Sequence, residues 1–115
     1  MAAPNIVALT SIYGRTVTVT LGATATDIVA NAAASAKVLR MANLLVANPT
    51  DDPVTLNLSV VNAAPAATVK LVSNLVLPGN ATLEVPASKI YLEEGDKITG
   101  MGLALVATAS YEEIA

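Results

Sequence analysis

Between Val54 and Val60 the chain alternates strictly, with Val54, Leu56, Leu58 and Val60 on one side and Thr55, Asn57 and Ser59 on the other. A repeat of two is that of an extended strand, whose successive side chains point to opposite faces, and it does not fit the 3.6-residue repeat of a helix. The segment therefore reads as a strand with one buried face and one wet face. The same alternation runs from Arg15 to Leu21, where Val17, Val19 and Leu21 oppose Thr16, Thr18 and Thr20. Val38 to Asn48 is apolar on both faces apart from Arg40 and Asn43, the pattern of a central strand. Asn48-Pro49-Thr50-Asp51-Asp52-Pro53 stops it with turn-forming residues, and the strands on either side are expected to pair as a hairpin.

Further strands follow. After a loop from Asn62 to Ala67, Val69 to Leu77 reads as extended, and Pro78-Gly79 suits the two central positions of a type II turn. Thr82 to Val85 is closed by Pro86, Ile90 to Leu92 is short, Glu93-Glu94-Gly95-Asp96 turns the chain into Lys97 to Thr99, and a last strand spans Leu103 to about Ile114. About eight strands at this spacing predict an all-β fold, an antiparallel β-sandwich forming one domain over residues 1–115. The alanine-rich segment from Asp27 to Lys37 admits two readings, a helical turn on propensity or a loop between strands.

What such a sandwich does is constrained by what it is made of. Hydrophobic residues make up 54% of the chain but aromatics only 3%, with no Phe or Trp, so its apolar mass is Ala, Val, Leu and Ile. Only 13% of residues are charged, where an average soluble domain has about a quarter, and mean hydropathy is +0.62. The surplus apolar surface needs a destination. It is not a spanning helix, because Arg40, Asn43 and Asn48 interrupt the longest apolar run. The remaining destination is protein, and contact with other subunits is expected.

Several function classes fall away. The net charge is −3 and the cations Arg15, Lys37, Arg40, Lys70, Lys89 and Lys97 are scattered, which disfavours nucleic-acid binding. With no His and no Cys, the commonest general base, the best metal ligands and the strongest nucleophile are missing together. Ser88 and Lys89 are adjacent in a strand-like stretch and would point to opposite faces, so no catalytic residue is assigned and no cofactor is implied. Glycines are too dispersed for a phosphate loop. Glu93, Glu94 and Asp96 around Gly95 offer carboxylates a hard cation could use, but the spacing reads more simply as a solvated turn with Gly95 at positive φ and Asp96 capping the bend. Asp51 and Asp52 are likewise turn residues, and Glu112 and Glu113 fall on opposite faces of a strand. The opening residues from Met1 to Asn5 lack a secretory pattern, so export is not expected. Tyr13, Tyr91 and Tyr111 are the only aromatics, and with Ile114 and the chain termini they are the candidates for anchoring an interface.

Leu77-Pro78-Gly79-Asn80-Ala81-Thr82-Leu83, Lys89-Ile90-Tyr91-Leu92-Glu93-Glu94-Gly95-Asp96-Lys97-Ile98 and Ala109-Ser110-Tyr111-Glu112-Glu113-Ile114 together resemble small virion structural proteins of tailed bacteriophages. The likeness covers about residues 37 to 114. It implies an immunoglobulin-like or jelly-roll sandwich, a copy number set by virion symmetry, and no activity beyond assembly. Its first expectation is a capsid decoration (cement) protein in the virion, whose partners are further copies of itself and the major capsid protein; neck, collar or tail-associated positions are the alternatives. From a different class, a calcium-assisted carbohydrate-binding or adhesin-like module would use the turn from Glu93 to Asp96.

Overall fold

Each alternating segment is extended in the computed structural model, which describes residues 12–63, 66–87 and 90–115. Among these residues there are nine strands: β1 (Ile12–Thr20), β2 (Thr26–Ala30), β3 (Val38–Ala47), β4 (Val54–Ala63), β5 (Ala66–Leu77), β6 (Thr82–Val85), β7 (Tyr91–Leu92), β8 (Lys97–Met101) and β9 (Val106–Ile114). They form two antiparallel sheets. One has the order β1-β9-β3-β6, with β7 also pairing with β3; the other has the order β2-β8-β4-β5. No helix of the described residues is long and apolar enough to cross a membrane.

The pairings are nested. β1 pairs with β9, β2 with β8, β3 with β6 and β7, and β4 with β5. The second half of the chain thus runs back along the first in reverse order, and successive pairs fall in alternate sheets. This is the winding of a jelly roll. In the immunoglobulin order the first two strands share a sheet, whereas here β1 and β2 lie in opposite ones. Of the two expected kinds of sandwich, the strand order is that of the jelly roll.

Side-chain period sets the layers. Leu44 and Val46 of β3 and Leu56 and Leu58 of β4 are fully buried, while Thr55 is exposed and Asn57, between the two leucines, is half-buried. Leu21, Met41, Leu92, Ile98 and Leu105 complete the large aliphatic core, and Ala107 and Ala109 fill the middle of β9. Each large aliphatic contributes roughly 1.5–3 kcal/mol by leaving water, so a core without Phe or Trp is sustained by number.

The structure corrects several expectations. β3 and β4 are not a hairpin: they lie in different sheets, and the connection from Asn48 to Pro53 carries the chain from one layer to the other. Their apolar faces meet across the core and do not lie side by side. The segment from Asp27 to Lys37 is neither helix nor loop throughout, since it begins inside β2, where a register shift between Asp27 and Val29 lets both Ile28 and Val29 be buried. Residues expected as a loop from Asn62 to Ala67 are largely paired, Asn62 with Ala67 and Ala63 with Ala66. The last strand starts at Val106, because Leu103 and Ala104 form a turn in which Ala104 has φ 66°. The turn after β5 is one residue later than expected, with the Ala81 amide donating to the Pro78 carbonyl (3.2 Å) and the positive φ at Asn80. Gly79 is required there for a different reason, as a Cβ would run into the backbone carbonyl of Asp51.

Candidate assembly surface

The four sequence-derived contact residues come together at one end of the first sheet, on its two faces. In β1, β9 and β3, Tyr13 lies opposite Glu113 and Glu113 opposite Leu39; Arg15 lies opposite Tyr111 and Tyr111 opposite Met41. Leu39 and Met41 are buried, so this row set is the inner face. Near Tyr13 that face is open, because Tyr13 is 59% exposed, whereas Tyr111 packs against the core. Burial and the neighbouring Glu113 carboxylate raise the Tyr111 hydroxyl above the ordinary tyrosine value, against a smaller lowering by Arg15.

The outer face carries the other two. Ile12 lies opposite Ile114, and Ile114 opposite Val38, making one aliphatic row across three strands. Beside it Arg40 lies opposite Glu112 on one flank and Tyr91 on the other. Ile12 is 56% and Tyr91 57% exposed. Reading the sequence alone identifies Tyr91 and Ile114 but misses Ile12 and Val38, whose membership of the row depends on pairings between opposite ends of the chain. The opening residues and the pair Ser88 and Lys89 lie outside the described residues.

Ion pairs frame this end. Arg15 and Lys37 both approach Glu113, at 3.4 and 3.5 Å, and Arg40 approaches Glu112 at 3.6 Å. Glu112 and Glu113 therefore serve opposite faces, as strand geometry requires. Exposed pairs of this kind contribute at most about 1 kcal/mol each, so they set charge and orientation more than stability.

The acidic turn proves to be internal joinery. Gly95 has φ 85°, as expected. Asp96, however, is not solvated: it is 4% exposed, its carboxylate oxygens accept from the backbone amides of Ala63 (2.9 Å) and Glu93 (3.1 Å), and its own amide donates to the Glu93 carbonyl. The Glu94 carboxylate accepts from the Ala36 amide at 3.2 Å. These carboxylates satisfy backbone donors that two other turns would otherwise leave unpaired. Asp51 is engaged in the same way, accepting from the Asn80 side chain at 3.1 Å. Among the described residues no group of three or more His, Cys, Asp or Glu side chains is placed to hold a metal ion. A shallow groove of about 180 Å³ on the second sheet, lined by Asn57, Ser59, Lys70, Asn74, Thr99 and Met101, presents amides, hydroxyls and one ammonium.

No family description and no curated protein matches this chain. A solved structure described as "Bacillus endospore appendages form a novel family of disulfide-linked pili" is 19% identical, covers 90% of this chain and 85% of its own, and superposes with a TM-score of 0.46. The present chain contains no cysteine.

Proposed function

We propose that this protein is a non-enzymatic structural component of a virion, and that it decorates the head shell of a tailed bacteriophage as a cement protein. The observation that carries the reading is the gathering of Tyr13, Tyr91, Tyr111 and Ile114 at one end of one sheet, where Ile12 and Val38 add exposed or half-exposed aliphatic surface. Small apolar patches of this kind, ringed by ion pairs, suit modest contacts repeated many times. A protein that binds only the assembled shell stabilises it by mass action, without needing a strong individual contact.

The resemblance to phage virion proteins supports the same reading. Two of its three motifs, from Lys89 to Ile98 and from Ala109 to Ile114, contribute Tyr91, Tyr111 and Ile114 to this end of the sheet. The absence of histidine and cysteine from the whole chain supports a role without chemistry. A jelly-roll order is shared by shell proteins and sugar-binding proteins, so the address rests on the surface and the resemblance, not on the fold.

Particle reconstruction tests it. Density for this chain at regular positions on the head is the expected result, and particles lacking the protein should burst at a lower temperature and be rescued by adding it back. Tyr91→Ala with Ile114→Ser should abolish the rescue while leaving the melting of the free protein within a few degrees. Density confined to the neck or tail would move the protein to those sites, and failure to bind any particle would end the virion reading.

A further inference from the structure

Sandwiches have four sheet edges, and three of those here are built to resist pairing. β2 is five residues long, shifts register between Asp27 and Val29, and carries an ion pair from Asp27 to Lys97 at 3.3 Å. β5 is long, but its pairing shifts register twice, and Asn74 is left-handed (φ 51°) with its amide tied to the Asn57 side chain at 2.9 Å. On the far edge of the first sheet β6 has four residues and is followed by Pro86, and β7 has two. Short strands, bulges, charges and prolines are the usual devices against edge-to-edge association.

β1 has none of these apart from one charge. Its nine residues pair with β9 from Ile12–Ile114 to Thr20–Val106 without a shift in register, and among the described residues no strand pairs with its other side. It contains no proline, and Arg15, its only charged residue, already lies 3.4 Å from Glu113. The sequence Thr16-Val17-Thr18-Val19-Thr20 is strongly strand-forming and uncharged.

We infer that β1 pairs antiparallel with β1 of a second copy about a two-fold axis at Thr16, joining two five-stranded sheets into one. A register centred on Thr16 overlaps all nine residues and keeps each face continuous. It sets Thr16 against Thr16, Arg15 against Val17, Gly14 against Thr18, Tyr13 against Val19 and Ile12 against Thr20. The strand is self-complementary in this register. The exposed Tyr13 ring gains a β-branched cross-strand neighbour, a favourable pairing. The two arginines meet only diagonally, each with a glutamate beside it. An isologous contact of this kind needs only one surface of one chain. A single strand pairing covers far less than the roughly 800 Å² per partner of a free-standing complex, so the contact is weak alone and gains from repetition in a lattice.

The absence of cysteine makes a clean test possible. In the paired form residue 16 faces its own copy at a Cα separation of about 4.5–5.5 Å, within disulfide reach. Residue 18 faces residue 14, and its own copy is roughly 14 Å away. Under identical mild oxidation, Thr16→Cys should form covalent dimer at least tenfold faster than Thr18→Cys, although both positions are accessible strand residues on the same face. Equal rates, or a faster Thr18→Cys, overturn the pairing. In the unsubstituted protein, amide exchange over residues 12–20 should slow as concentration rises; protection there that is independent of concentration would mean that the edge is covered within one chain, and overturns it as well. Particle binding is scored separately, so a Thr16→Cys protein that decorates particles without cross-linking removes the pairing and leaves the virion reading standing.

Discussion

Two of the turns that carry the chain between sheets, residues 31–37 from β2 to β3 and residues 48–53 from β3 to β4, use the same device with very different local support. Each begins with a buried asparagine. The Asn48 amide group donates to the carbonyls of Asp52 (2.8 Å) and Leu77 (3.0 Å), while its oxygen accepts from the amide and hydroxyl of Thr50 (3.0 and 2.7 Å). The Asn31 amide group donates to the carbonyls of Lys37 (2.8 Å) and Leu92 (3.0 Å), while its oxygen accepts from the Ser35 hydroxyl at 2.6 Å. One side chain thus closes the turn and bonds it to a strand distant in sequence, β5 in the first case and β7 in the second. Around Asn48 the neighbours Pro49, Asp51, Asp52 and Pro53 favour a turn by themselves. Around Asn31 the neighbours are alanines, two of which, Ala34 and Ala36, are held left-handed at φ 59° and 58°. Non-glycine residues in that region cost of order 1 kcal/mol each. Tertiary hydrogen bonds can thus impose a turn on a sequence that does not specify one locally.

Breaking the anchors should have the largest effect. Asn48→Ala leaves the buried Leu77 carbonyl without this donor and should cost about 3 kcal/mol, measured by urea unfolding. Asn31→Ala should cost about 2 kcal/mol and in addition speed amide exchange over residues 31–37, where no local preference for a turn remains. If the Asn31 change leaves that exchange untouched, the segment holds its shape without tertiary help and the comparison fails. Intermediate effects of opposite sign are expected from relieving the strain. Ala34→Gly and Ala36→Gly should each stabilise by about 0.5 kcal/mol, because glycine adopts a left-handed conformation without the Cβ penalty but loses more chain entropy on folding. Glycine in place of Thr50, where no left-handed conformation is recorded, should destabilise instead. The smallest effect is expected from Glu94→Gln, which keeps an acceptor for the Ala36 amide and should change stability by less than about 0.5 kcal/mol.

The same contrast explains how much was legible in advance. The Val54 to Val60 and Arg15 to Leu21 alternations gave strands with the right faces buried, because a period of two is a property of the chain itself. The turn at 48–53 was legible from its prolines and aspartates. The segment after Asp27 was not, since β2 exists by pairing with β8 and by burying Ile28 and Val29, and Asn31 finds its partner 61 residues away. Of the candidate surface, Tyr91 and Ile114 could be picked out as scarce or terminal bulky residues. Ile12 and Val38 could not, because their common row with Ile114 is created by pairing the first described strand with the last.

By itself the sequence determined the class of fold, the aliphatic character of the core and the absence of imidazole and thiol groups, since these follow from side-chain period and residue type. Only the tertiary structure decided that β3 and β4 face each other across two layers, that Asp96 is buried within the fold, and which bulky residues share one end of a sheet. Those outcomes depend on which strands pair, and pairing is fixed by non-local hydrogen bonds and packing that no local pattern encodes.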